Sequence, residues 1–209
     1  MRQLSVFILL SGLLLFGSPE PQTIVRYNIN RAELDAENDK KESEGYRLTD
    51  LSVYIMDGYE HYAAIWNKQT GPETKKLVGL YDESFGHLLT QYKSLGYCPV
   101  RLSSTSTGQK VFAASVLSKT SLDFHLSAST LPDSLFLGLL NSEAKNGNYL
   151  IDFTFTKIGT LEQYLLVWGR SAARISVPNV RLDLSSSQYE SELASQSANG
   201  YKPARVSRV

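Results

Sequence analysis

The sequence predicts a β-rich α+β fold, made of about three tandem units of hairpin, short strand and helix. Three observations predict it. A glycine followed at once, or one residue later, by tyrosine recurs at Gly45-Tyr46, Gly96-Tyr97, Gly147-Asn148-Tyr149 and Gly200-Tyr201, with spacings of 51, 51 and 53 residues. A period in that range marks one supersecondary unit stacked several times. Other positions keep step with the glycine: Leu34, Phe85, Phe136 and Tyr189 lie eleven before it. Leu89, Leu140 and Leu193 lie seven before it, with Asn38 in that place in the first copy. Finally, within each period the apolar spacing changes from two, as in strands, to 3.6, as in helices.

The first full unit shows why. Tyr46 to Met56 is rich in aliphatic residues, Tyr and Thr with partial alternation, which predicts a strand. Asp57-Gly58 is a hairpin turn, because both residues tolerate positive φ. His61 to Lys68 returns, with Tyr62, Ala64 and Trp66 on one face and Ala63, Ile65 and Asn67 on the other. Thr70-Gly71-Pro72 breaks the chain before a short strand, Lys75 to Leu80. From Asp82, a plausible N-cap, Phe85, Leu88, Leu89, Tyr92 and Leu95 take helical spacing, and Gly96 ends the helix in the left-handed region.

The second unit repeats the plan. Cys98 to Ser106 and Lys110 to Lys119 form a hairpin around Thr107-Gly108; Leu122 to Ser127 is the short strand. Its helix opens at Thr130-Leu131-Pro132, where a first-turn proline is tolerated. In the third, strands near Leu150 to Thr156 and Glu162 to Arg170 turn at Lys157 to Thr160. Segments near Arg174 to Val177 and Val180 to Leu184 flank Pro178-Asn179, and a weakly apolar helix runs from Ser186 to Ala198. These units span about 45–95, 96–146 and 147–199. Before them stand a strand-like Thr23 to Ile29 and a charged helix, Arg31 to Glu44; after them comes only Tyr201 to Val209. The expectation is that segments 23–44 and 200–209 meet as a partial fourth unit. They would close a propeller-like ring or cap an open arc, all within a single repeat domain, 23–209.

Composition bounds the function. At 42% hydrophobic and 20% charged residues the chain is an ordinary globular protein. Lys plus Arg and Asp plus Glu both number 21, so no global field draws a polyanion, and nucleic acid is not an expected partner. Arg2 and the apolar run Leu4 to Gly17 read as a signal peptide over residues 1–18, too short to span a bilayer comfortably. The mature chain is therefore expected outside the cell and off the membrane. In that compartment the lone Cys98 allows no intrachain disulfide; a buried thiol is favoured over an intermolecular bridge.

The run Gly45-Tyr46-Arg47-Leu48-Thr49-Asp50-Leu51-Ser52-Val53-Tyr54, then Gly58, Tyr62-Ala63-Ala64-Ile65-Trp66-Asn67-Lys68 and Gly71-Pro72, resembles the bacterial tandem repeat domain 1 family. Those repeats run Gly-Tyr-Arg, a strand, Gly, Tyr-Ala-Ala-Ile-Trp, then Glu-Lys and Gly-Pro. The resemblance extends over most of residues 30 to 209 at lower fidelity. The second unit keeps Phe112-Ala113-Ala114 without the tryptophan, and the third keeps Trp168 without the Ala-Ala pair. Similar repeats precede a β-lactamase-like serine hydrolase domain in secreted fungal polyglycine hydrolases. The resemblance implies that the chemistry of those proteins belongs to that other domain, leaving the repeats without a catalytic set.

The residues agree with a non-enzymatic reading. Ser142-Glu143-Ala144-Lys145 has the Ser-x-x-Lys spacing but falls at the end of a surface helix, with Lys119-Thr120-Ser121 upstream in the wrong order for that enzyme class. His61, His87 and His125 share no metal-ligand spacing, and the acidic run Glu33 to Glu44 lacks the glycine of a calcium loop, so no metal or other cofactor is expected. Tyr62, Phe112 and Tyr164 recur and are expected in the core between repeats. Trp66 and Trp168, each followed two residues later by a cation (Lys68, Arg170), are the expected exposed binding aromatics, with Tyr54 beside them. The function expected is a secreted repeat module that binds an extracellular protein or glycan. The alternative is an accessory domain that positions substrate for a separate serine hydrolase.

Overall fold

A computed structural model describes residues 22–120, 122–129, 133–170 and 184–199. Strand β1 (Thr23–Ile29) leads through helix α1 (Arg31–Ser43) into the hairpin β2 (Arg47–Met56) and β3 (Tyr59–Asn67). The order recurs as β4 (Thr74–Leu80), α2 (Glu83–Ser94), β5 (Tyr97–Thr107) and β6 (Lys110–Lys119). It recurs again as β7 (Phe124–Ser129), α3 (Asp133–Lys145), β8 (Asn148–Ile158) and β9 (Leu161–Arg170), and α4 (Ser186–Ala198) follows. The fold is thus β-rich α+β. The expected segments 174–177, 180–183 and 200–209 lie outside the described residues.

Local chemistry sets the element ends. Asn30 forms a reciprocal capping box with Glu33, and the Asp82 carboxylate accepts from the N–H groups of Ser84 and Phe85. Helices α1, α2 and α3 each stop where a glycine takes φ near +80°: Gly45 at 81°, Gly96 at 83° and Gly147 at 79°. A side chain there would clash with its own carbonyl, which is why the sequence period is written in glycine. All three hairpins turn on two residues, Asp57-Gly58, Gly108-Gln109 and Gly159-Thr160.

The strands pair into three antiparallel sheets, ordered β1-β3-β2, β4-β6-β5 and β7-β9-β8. This corrects the expected unit. The short strand after each hairpin crosses the next helix and joins the following hairpin, so the hydrogen-bonded unit is strand, helix, hairpin. It also corrects the expected fourth unit at its amino-terminal side. Residues 23–29 are the outer strand of the first sheet, with Thr23 opposite Asn67 and Arg26 opposite Ala64, so they complete unit one.

The helices pack on the sheets of their own units, and α1 and α2 share cores with the next sheet as well. Leu34 of α1 is buried with Leu48, Leu51, Tyr62, Ala64 and Trp66 of the first sheet and with Val78, Ala114 and Val116 of the second. Phe85 and Leu89 of α2 do the same between Leu102 and Leu117 of the second sheet and Leu165 and Val167 of the third. Phe136 and Leu140 of α3 pack on Tyr164, Leu166 and Trp168. Register corrects one anchor. Leu51, Leu102 and Phe153 pair with Ala64, Ser115 and Leu166, which makes Ala113 the counterpart of Tyr62 and Tyr164. Phe112 sits one residue earlier, half-buried, and leans back onto the core shared with the first sheet.

The innermost strands β2, β5 and β8 lie against one another, and their contact is a ladder of side chains. The Val53 N–H donates to the Ser103 hydroxyl at 3.1 Å; one period on, the Ser104 N–H donates to the Thr154 hydroxyl at 3.0 Å. The Leu102 N–H donates to the Asp152 carboxylate at 2.6 Å. Its first-unit counterpart, the Leu51 N–H, is served by its own neighbour Asp50 at 2.8 Å, and Arg101 holds the repeat position of Asp152. A register shift stands beside these bonds in every unit, between Leu48 and Asp50, Pro99 and Arg101, and Leu150 and Asp152. A bulge that recurs at one repeat position is part of the fold's design; here it bends the strand where the next unit meets it. Sheet edges that would otherwise expose bare N–H groups are capped by the next unit's side chains, at a net gain of about 0.5–1.5 kcal/mol for each bond.

Candidate functional site

The expected binding aromatics are structural. Trp66 is 0% exposed and Trp168 2% exposed, so neither indole presents a face to a ligand. Each indole N–H has a partner, as a buried indole requires. Trp66 donates to the Asn38 side-chain oxygen at 3.2 Å, and Trp168 to the Ser127 hydroxyl at 2.8 Å. The first bond explains the break in the helix pattern: Asn38 takes the leucine position of the other units because it meets a tryptophan N–H. The cations are placed apart from the indoles. Lys68 is exposed with its ammonium 5.5 Å from the centre of the Tyr46 ring, and exposed Arg170 donates its backbone N–H to Asp123. Tyr54 stacks on His61 and accepts the N–H of Asn28, a residue at positive φ, at 2.8 Å. It ties the kinked end of β1 across the sheet.

Of the expected repeat anchors, Gly45, Gly96 and Gly147 take positive φ after their helices. Tyr97 is buried against Tyr92 in an edge-to-face contact, and Tyr149 lies against Gly169, where an added Cβ would collide with the ring. Gly200 and Tyr201 lie outside the described residues.

Other chemistry-bearing groups are scattered. Ser142 and Lys145 are exposed near the end of α3, and no base approaches the serine among the described residues. No cluster of three or more His, Cys, Asp or Glu forms a metal site among the described residues. Cys98 is fully buried and free, and burial pushes its thiol up to about 11, which keeps it protonated and unreactive at neutral pH. The acidic helix α1 is not wholly a solvated face: Lys41 is buried, bonded to Glu44 at 2.7 Å, and that contact holds the Glu44 carboxyl below its usual range.

What the tertiary structure does assemble is a seam between units one and two. Helix α1 is locked onto β4 by Lys76 to Asp35 at 3.2 Å and by the Arg31 guanidinium donating to the Val78 carbonyl at 2.9 Å. Two adjoining clefts open along this seam, of about 250 and 230 Å³, and both are lined by Arg47 and Thr74. The first adds Glu42, Tyr46, Glu73 and Lys75. Glu73 is tied to Lys75 at 2.9 Å, which holds its carboxyl low. The second cleft adds Thr49, Gln69, Arg101 and Ser118 over a floor of Leu48, Val100 and Val116. Sequence reasoning missed Arg47 and Arg101, which lie in different units. The signal was present: five residues after the glycine the copies carry Asp50, Arg101, Asp152 and Arg205, so among the three full units a cation breaks the pattern in the second.

The lining of the seam is largely polar and carries several hydrogen-bond donors. One family matches the chain over residues 20–69, 77–115 and 178–209, more than half its length, and it is described as polyglycine hydrolase-like, structural repeat. The first matched segment coincides with the strand, helix, hairpin unit.

Proposed function

Since this chain belongs to the polyglycine hydrolase-like structural repeat family, we propose that it is a secreted, non-enzymatic repeat module. It binds an extracellular protein or glycan along the seam between its first two units. The observation that carries this reading is the seam itself: a polar cleft walled by two units and rich in hydrogen-bond donors. Stacked repeats build extended surfaces of this kind. The family description supports the alternative, an accessory module that positions substrate for a separate serine hydrolase.

The test is a pull-down from extracellular fluid with the mature chain, using Arg101→Gln as the control bait. Proteins retained by the wild type and lost by the variant support a module that binds through the seam. A serine hydrolase among them supports the accessory reading, and release by free sugars supports a glycan ligand. Equal retention by both baits, or none by either, overturns binding at the seam.

The stacking is further proposed to run on, propeller-like, into residues 200–209. The hydroxyl seven residues after the glycine, which accepts the preceding unit's N–H at Ser103 and Thr154, recurs at Ser207. Deleting 201–209 is expected to lower the unfolding midpoint by several degrees, since about 1 kcal/mol moves a domain of this size by roughly 2–4 °C. An unchanged midpoint would rule this docking out.

A further inference from the structure

We propose that the second seam cleft is a carboxylate-binding site for an acidic peptide segment, gripped by the guanidiniums of Arg47 and Arg101. The proposal rests on the binding-module reading and names the chemistry of its ligand. Both arginines line this cleft of about 230 Å³, and neither is ion-paired among the described residues. Each spends a single bond on the protein. Arg47 Nη1 donates to the Thr70 carbonyl at 3.2 Å, and Arg101 Nη1 to the Val100 carbonyl at 2.8 Å. A guanidinium carries five donors, so most remain free for an acceptor, and the Arg47 Nε–H is buried with no partner at all. Gly71 shapes the pocket around the first arginine, because a Cβ there would collide with its guanidinium.

The three full units do not all carry these cations, although the copy after Gly200 has Lys202 and Arg205 in the same places. Two residues after the glycine, where unit one has Arg47, units two and three have Cys98 and Tyr149. At the position of Arg101 the third unit has Asp152, which serves the Leu102 N–H. The Leu51 N–H, the first-unit counterpart of Leu102, is served instead by Asp50, so Arg101 is not needed as its acceptor. Paired forks of donors match carboxylate geometry in two-point contacts. The apolar floor of Leu48, Val100 and Val116 suits the aliphatic stem of an acidic side chain. A peptide is favoured over an acidic sugar because no aromatic ring lines this cleft. In the adjoining one, ammonium groups of Lys41 and Lys68 already stand 5.6 and 5.5 Å from the Tyr46 ring centre.

The experiment titrates the full chain with a fluorescent hexaglutamate peptide, with hexaglutamine as its neutral isostere and oligogalacturonate as the acidic sugar. Saturable binding of hexaglutamate alone is expected, weakened by salt as exposed charge contacts are. Arg101→Gln should lose about tenfold or more in affinity, the scale of a charged hydrogen bond. Arg101→Lys should fall between, since it keeps the charge and loses the fork, and unchanged circular dichroism of both variants separates lost contact from lost fold. Absence of saturable binding, wild-type affinity in both Arg47→Gln and Arg101→Gln, or preference for oligogalacturonate overturns the proposal. The carboxylate can fail alone: a natural partner held by wild type and lost by Arg101→Gln, with no hexaglutamate bound, removes the carboxylate and keeps the module.

Discussion

Replacing Trp66 by alanine is expected to cost about 3–5 kcal/mol of stability, the scale for emptying a buried aromatic site. The ring fills the core between the first two sheets with no exposed surface, among Leu34, Leu48 and Val116. Its loss also strands the Asn38 side-chain oxygen, which is 3% exposed and accepts the indole N–H. The Asn38 amide nitrogen is held on Glu42 at 2.9 Å, so the group cannot readily turn away. Denaturant unfolding should show a large fall in midpoint at unchanged slope. Trp66→Phe should cost less, and adding Asn38→Leu to it should recover part of the loss, because leucine is what the other units carry there. A Trp66→Ala variant of full stability that failed to bind a partner would return the indole to the surface and sink this reading.

The second large effect is expected at Asp152. Its carboxylate is 5% exposed and accepts the Leu102 N–H at 2.6 Å, across the junction of β5 and β8. Asp152→Ala should cost about 1.5–3 kcal/mol, the range for a hydrogen bond to a charged group. The loss should be local before it is global. Amide exchange at Leu102 should speed up sharply, while that of Leu51, which has Asp50 as acceptor, stays slow. Asp152→Asn keeps an acceptor oxygen and should cost less. Equal exchange at both amides in Asp152→Ala would show that the ladder does not hold the units together.

Much of this was legible beforehand because the determinants are local. A helix needs a left-handed residue to stop, and Gly45, Gly96 and Gly147 announce those stops. A tight hairpin needs Gly near its corner, and alternation tells which residues share a strand face. Even the odd Asn38 was visible as a break in the leucine pattern, though not its reason. The family resemblance also rests on such local runs, Gly45 to Tyr54 above all.

The phase of the repeat was not legible. A period is unchanged when its origin moves, so spacing alone cannot say whether the strand Thr74–Leu80 belongs to the hairpin before it or after it. Long-range pairing decided, across α2, with Thr74 opposite Ser118. Nor could alternation say which face of a strand meets water, because a stacked sheet is covered on both sides, and Trp66 and Trp168 went inside for that reason. The candidate site is hidden for the same cause: Arg47 and Arg101 are 54 positions apart and meet only where one unit stacks on the next. The sequence by itself determined the units, their turns and their stops, all set by backbone conformation within a few residues. The tertiary structure alone decided which strand joins which sheet, which rings are buried and which cations share a cleft, since each depends on contacts between distant parts of the chain.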